Sequence, residues 1–86
     1  MAKKVVPLPT PKQDGTLDPA MLGAFVRARR TQSGLTIHET AALCGVTVKM
    51  LSALERATAD IGLAKALRIC HKLGVTLRVD SWSPLP

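Results

Sequence analysis

The spacing of apolar residues along the chain changes twice, and the changes divide it. Between residues 18 and 74 apolar side chains recur every three or four positions, the period of helices with one buried face. After Gly74 the interval drops to two. Val75, Leu77 and Val79 alternate there with Thr76, Arg78 and Asp80, the pattern of a strand with one apolar side. Before residue 18 there is no period: residues 1–17 hold three prolines and a glycine and read as a flexible basic arm.

Punctuation splits the helical region into four. Asp18 is an N-cap with Pro19 at the first helical position, and helix 1 runs to about Ser33, with Leu22, Phe25, Val26 and Arg29 at one-turn spacing and Gly34 as its stop. Thr36-Ile37-His38-Glu39 is a capping box opening helix 2, about 37–43. Thr47 caps helix 3, about 48–56, and Asp60 caps helix 4, about 61–73. In helix 4 Leu63, Ala66, Leu67, Cys70 and Leu73 form an apolar stripe. The expected fold class is all-α, a four- to five-helix domain over 18–74, followed by a dimerisation strand and tail over 75–86.

Residues 37–57 carry the most specific pattern. Ala41 is small where one helix crosses another, and Gly45 supplies the positive φ of a sharp turn. Leu51 and Leu54 face back onto the preceding helix. These offsets, with both caps present, make a helix-turn-helix.

The strand poses a different problem, because its backbone groups need a ladder partner. Val5-Val6-Pro7-Leu8 is the nearest rival within the chain, and its proline demotes it. The economical partner is the same strand in a second copy across a two-fold axis. Val75, Leu77, Val79 and Trp82 are therefore the expected homodimer interface.

Length and charge narrow the picture. Eighty-six residues allow one small domain. No apolar run spans a bilayer and the N-terminus lacks a signal-peptide core, so a cytoplasmic protein with no membrane partner is expected. Twelve Lys and Arg against six Asp and Glu give a net charge of +6, which favours a polyanionic partner. The excess is spread as +2 in each of residues 1–17, 18–33 and 58–74, and the helix-turn-helix between them is neutral. That distribution argues against very tight non-specific DNA binding.

The order of helix 1, Gly34-Leu35-Thr36, the Ala41–Val46 turn, Leu54-Glu55-Arg56 and a fourth helix ending in Leu73-Gly74-Val75 resembles the Xre/Cro-type, lambda-repressor-like DNA-binding domain, over about residues 20–75. The C-terminal stretch TLRVD is similar to that of HipB-like antitoxins. The likeness implies a transcriptional repressor that dimerises through such a strand, binds a palindromic operator in double-stranded DNA, and neutralises a HipA-like kinase toxin. Two features depart from the family pattern. Ile37 and Val48 stand where the family usually has Gln and a polar residue, and the loop after Glu55-Arg56 has no Gly or Pro.

On helix 3, base edges are the expected targets of Thr47, Val48, Lys49, Met50, Ser52 and Ala53. Lys49 can donate to guanine, Ser52 to several bases, and Val48 and Met50 offer apolar contact to thymine methyls. Phosphates are expected at Arg30, Thr36, His38, Thr47, Lys49 and Arg56. Packing is the competing role for Met50, and Lys3, Lys4 and Lys12 of the arm either follow a groove or solubilise the chain. Glu55 reads as structural, pairing with Arg27 or Arg30, while Arg29 and Arg30 suit the negative end of helix 1.

Catalytic chemistry has no foothold in the sequence. There is no phosphate-cradling glycine loop, nucleophile elbow or carboxylate pair, so no enzyme is expected. His38, Cys44, Cys70 and His71 show no metal-ligand spacing, and Cys70 and His71 point about 100° apart on a helix. No metal, cofactor or small-molecule ligand is expected, and both cysteines read as small buried residues. Two other readings use the same residues: a protein-interaction module with weak DNA binding, and a stand-alone Xre-type repressor without a toxin.

Overall fold

The computed structural model describes residues 4–84. Four helices follow in order: α1 Pro19–Gln32, α2 Ile37–Cys44, α3 Val48–Arg56 and α4 Leu63–Leu73. Their starts are set locally. Asp18 accepts a hydrogen bond from the Met21 N–H at 2.8 Å and opens α1, with Pro19 behind it. At α2 the capping box closes in both directions: the Glu39 N–H donates to Thr36 Oγ1 at 3.1 Å, and the Thr36 N–H donates to Glu39 Oε1 at 2.9 Å. Thr47 Oγ1 accepts from the Met50 N–H at 3.1 Å and opens α3.

Helix α4 starts at Leu63, two residues later than a cap at Asp60 predicts. Asp60 does not cap it. Its Oδ1 accepts from the Gly62 N–H at 2.8 Å, a tight turn of the kind aspartate forms with backbone two residues on. Gly62, at φ 90°, lies outside the helical region, so the helix cannot extend back to Ile61.

The core lies where the four helices converge, with Val26 from α1, Cys44 from α2, Leu51 and Leu54 from α3, and Ile69 and Leu73 from α4 among its residues. The tightest joint is between α1 and α3. Gly23 of α1 sits against the backbone of α3: a Cβ built there would overlap the carbonyl oxygen of Leu54 and lie 2.6 Å from that of Glu55. Only a residue without a side chain lets the two helices cross at this distance. Helix α1 is also tied to α4: Arg29 Nε donates to the carbonyl oxygen of Leu73 at 2.9 Å, satisfying an orphan acceptor at the end of α4.

Two expectations change outside the helices. The N-terminal arm has no helix or strand among its described residues, yet it is not free along its length. The Leu8 N–H donates to Thr31 Oγ1 at 3.0 Å, and Gln32 Nε2 donates to the carbonyl of Leu8 at 2.7 Å and to Thr10 Oγ1 at 2.9 Å. Ala28 and Thr31 are buried although they lie about 150° around α1 from the core residue Val26. The arm, bonded at this place, closes that far face; Lys3 lies outside the described residues.

At the other end, the alternation after Gly74 does not produce a strand among the described residues of this single chain. A strand needs a ladder partner, and no described segment pairs with this one. The burial pattern of the alternation survives in part: Val75 and Leu77 are half-buried against the core, while Thr76 and Arg78 are exposed. The pattern fails at Val79, which is 86% exposed, and Trp82 is 79% exposed. Pro86, the last residue of the expected tail, falls outside the described residues.

Helix α3 ends on a strained residue. Ala57 adopts φ 55°, a left-handed conformation that costs an L-residue about 1–2 kcal/mol, where glycine is at ease. In urea unfolding, Ala57→Gly is expected to raise stability by roughly 0.5–1 kcal/mol. Gly23→Ala should lower it by about 3 kcal/mol, because the added methyl meets backbone that cannot rotate away. A neutral Gly23→Ala would show that α1 and α3 do not cross as closely as described.

Candidate nucleic-acid interface

The turn between α2 and α3 has the geometry its residues predict. Gly45 takes φ 68°, and the Val46 N–H donates back to the carbonyl of Ala41 at 3.0 Å. Ala41 is buried in the core and lets the helices meet closely. Helix α3 then presents two distinct sides. Leu51, Leu54 and Glu55 are buried. Helical geometry places Lys49, Ser52, Ala53 and Arg56 on the opposite side, with Lys49 and Arg56 exposed and Ser52 and Ala53 half-buried.

Not every residue expected at DNA is on this side. Val48 is half-buried and packs part of its side chain against the core. Met50 is half-buried at the flank, and Thr47 is exposed at the cap. On α2, Thr36 is half-buried in its capping box and His38 is exposed. Ile37, at the position where the related pattern has Gln, also packs against the core.

Arg30 requires a correction. It was expected at a phosphate, but it is buried, and its guanidinium is committed to protein groups on every edge the structure shows. Nε donates to Glu55 Oε2 at 2.6 Å, Nη2 to Glu55 Oε1 at 2.9 Å, and Nη1 to the carbonyl of Leu35 at 2.9 Å. This is a two-pronged fork between α1 and α3, beside the Gly23 crossing, and it is why Arg30 is unavailable to a ligand. The pairing of Glu55 with a helix-1 arginine, expected as one of two options, is therefore with Arg30.

The fork changes the electrostatics of the interface. Over residues 34–57 the sequence sums to zero charge, but Glu55 is turned inward and neutralised from α1. The outward side of α3 is left with Lys49 and Arg56 and no acid. A helix-turn-helix segment whose sequence sums to zero thus shows a cationic side on α3.

The thiols play no part in this face. Burial pushes the Cys44 thiol up against the pull of Lys72 and Arg68, and burial and then Cys44 push Cys70 up, so both stay protonated near neutrality. Among the described residues no group of three or more His, Cys, Asp or Glu is placed to hold a metal ion, and no helix is long and apolar enough to cross a membrane.

Two features of this architecture do not follow from composition and caps. Gly23 is an isolated glycine inside a helical pattern, which often marks a close approach. The bond from Arg29 to Leu73 spans 44 residues and has no local signature.

Arg30→Lys separates the structural role from a phosphate contact. Lysine keeps the charge but cannot make the fork, so unfolding stability is expected to fall by about 1–3 kcal/mol while the salt dependence of DNA binding is unchanged. Unaltered stability would return Arg30 to the DNA face.

A family model described as helix-turn-helix matches residues 26–79, more than half of the chain. No curated protein matches it.

Proposed function

This chain belongs to the Xre/lambda-repressor-like helix-turn-helix family of DNA-binding transcription regulators, a regulatory and not an enzyme family, and from that premise we propose a dimeric repressor that reads a palindromic operator. The observation that supports it is the acid-free outward side of α3, with Lys49, Ser52, Ala53 and Arg56 in one band. In this reading Lys49 and Ser52 address base edges, with Met50, Ala53 and the cap Thr47 at the margin. Thr36, His38, Thr47, Lys49 and Arg56 hold phosphates and set the register. Val48 supports the helix from inside.

Dimerisation places two recognition helices in successive major grooves, about 34 Å apart. The alternation of Val75, Leu77 and Val79 supports pairing of the two C-terminal segments across the two-fold axis, with Trp82 beside the seam. The same segment motivates the finer reading. Its similarity to HipB-like antitoxins supports a protein that neutralises a HipA-like kinase toxin in the cytoplasm and represses the promoter of the pair. Co-purification of such a kinase distinguishes this role from a stand-alone repressor.

The DNA-binding reading is tested by gel shift against the region upstream of its own gene. Binding is expected at low salt and should weaken as salt rises, with a slope set by the phosphates neutralised. Lys49→Ala should weaken it and, at a guanine contact, relax one operator position by about 1–3 kcal/mol. No shift at low salt, or a slope near zero, would favour a protein-interaction module instead.

A further inference from the structure

A hollow of about 610 Å³ opens where the start of α1, the end of α3 and the start of α4 meet. Residues 17–19 line it, as does the whole connection from α3 to α4, residues 57–62. Its floor is apolar: Leu54 and Ala66 are buried there, and Leu22 and Ile61 half-buried. Leu63 and Leu17 add exposed apolar surface at its sides. A concave, mostly apolar site of this size suits a drug-sized organic molecule. A stable protein contact covers about 800 Å² per partner, more than such a hollow offers.

Its charge sets it apart from the rest of the molecule. The chain carries 12 Lys and Arg against 6 Asp and Glu, yet two of those acids, Asp18 and Asp60, line this hollow. Among the described residues no Lys, Arg or His lines it. Both carboxylates are held by backbone: Asp18 Oδ1 accepts from the Met21 N–H and Asp60 Oδ1 from the Gly62 N–H, each at 2.8 Å. Those bonds use one oxygen of each acid, and neither acid has an ion pair among the described residues. Local bonding thus explains an acid at each turn. It leaves two fixed carboxylates beside apolar walls with no counter-charge, an arrangement that concentrates negative potential in the cleft.

We propose that this hollow binds a small amphipathic cation, an organic amine whose apolar body lies on Leu22, Leu54 and Ala66 and whose ammonium group is held by Asp18 and Asp60. The apolar lining accepts the body of the ligand, and the two acids select its charge. They also repel phosphate-bearing molecules, so the site is chemically the opposite of the cationic side of α3. The inference rests on the fold and stands apart from the DNA-binding reading. The hollow also borders the turn that closes α3, where the Ala57 N–H donates to the carbonyl of Leu54 at 3.3 Å and the Thr58 N–H to that of Ala53 at 3.1 Å. The amides of that turn report on its occupancy.

The test is an amide NMR titration of the full chain with 2-naphthylmethylamine, and with 2-naphthylmethanol as a neutral probe of the same shape. The amine is expected to shift the amides of Ala57 to Leu63 and of Leu22 saturably in the millimolar range, and the alcohol to bind about tenfold more weakly. Asp18→Asn and Asp60→Asn each keep the local backbone bond and remove the charge, so both variants fold, which the same spectra confirm. Each should weaken the amine about two- to fivefold, and the two together about tenfold, with the alcohol unaffected. Absence of a saturable shift around the hollow overturns the inference, whether the hollow binds nothing or a second copy covers it. Equal binding of amine and alcohol overturns it too, as does an amine affinity that survives both substitutions.

Discussion

The crossing of α1 over α3 governs the rest of the molecule. At its centre is an absence, the missing side chain of Gly23, which lets backbone meet backbone at Leu54 and Glu55. Beside it is a strong polar joint, the fork from Arg30 to Glu55 with a third donor on the Leu35 carbonyl. The two act on the same degrees of freedom. The glycine sets how near the helices come, and the planar guanidinium sets how they are rotated about each other. Neither works alone, since a fork of fixed length requires a fixed separation. A buried pair of this kind adds little net stability over an apolar contact but is costly to break from one side, by about 3–5 kcal/mol. Its value here is geometric.

That geometry reaches the outward side of α3 directly. A nine-residue helix such as α3 has no independent stability in water and takes its direction from what it packs on. From behind it is held by α1 at Leu54 and Glu55; in front, the Gly45 turn and the Thr47 cap fix where it begins. The same fork also removes the one acid of α3 from the outward side. Orientation and electrostatic sign are thus outcomes of one interaction, and a chain that lost Arg30 would misplace the helix and expose a carboxylate to phosphates together.

How much of this could be read from residues alone depends on the range of the interaction responsible. Helices α2 and α3, their caps and the turn between them are local, set by Thr36, Glu39, Gly45 and Thr47 within a few positions of each other, and they stand where the pattern places them. The start of α4 was misplaced by two residues because Asp60 had two local uses, a cap or a turn on Gly62, and sequence does not rank them. Arg30 was placed at a phosphate because an arginine near a helix end has nothing in the sequence to tie it to Glu55, 25 positions on. Thr31 and Gln32 likewise give no sign that they hold Leu8, so an arm rich in proline read as free. The alternation after Gly74 is legible as a pattern, but a strand also needs a ladder partner, and no described segment pairs with it.

The magnitudes of base reading give an independent reason for two copies. Val48 leans on the core, and in the proposed reading the polar side chains of α3 that remain to discriminate bases are few, Lys49 and Ser52 foremost. A good bidentate contact is worth about 1–3 kcal/mol of discrimination, so one such helix offers a few kcal/mol at most. Sequence-specific regulators separate operator from bulk DNA by about 4–10 kcal/mol. One domain falls at or below the bottom of that range, and two identical domains held at a fixed spacing lie within it. In the proposed repressor, the sparse outward side of α3 and the alternating C-terminal segment would answer one requirement: a domain that reads little per copy gains discrimination by duplication, provided both helices can bind at once.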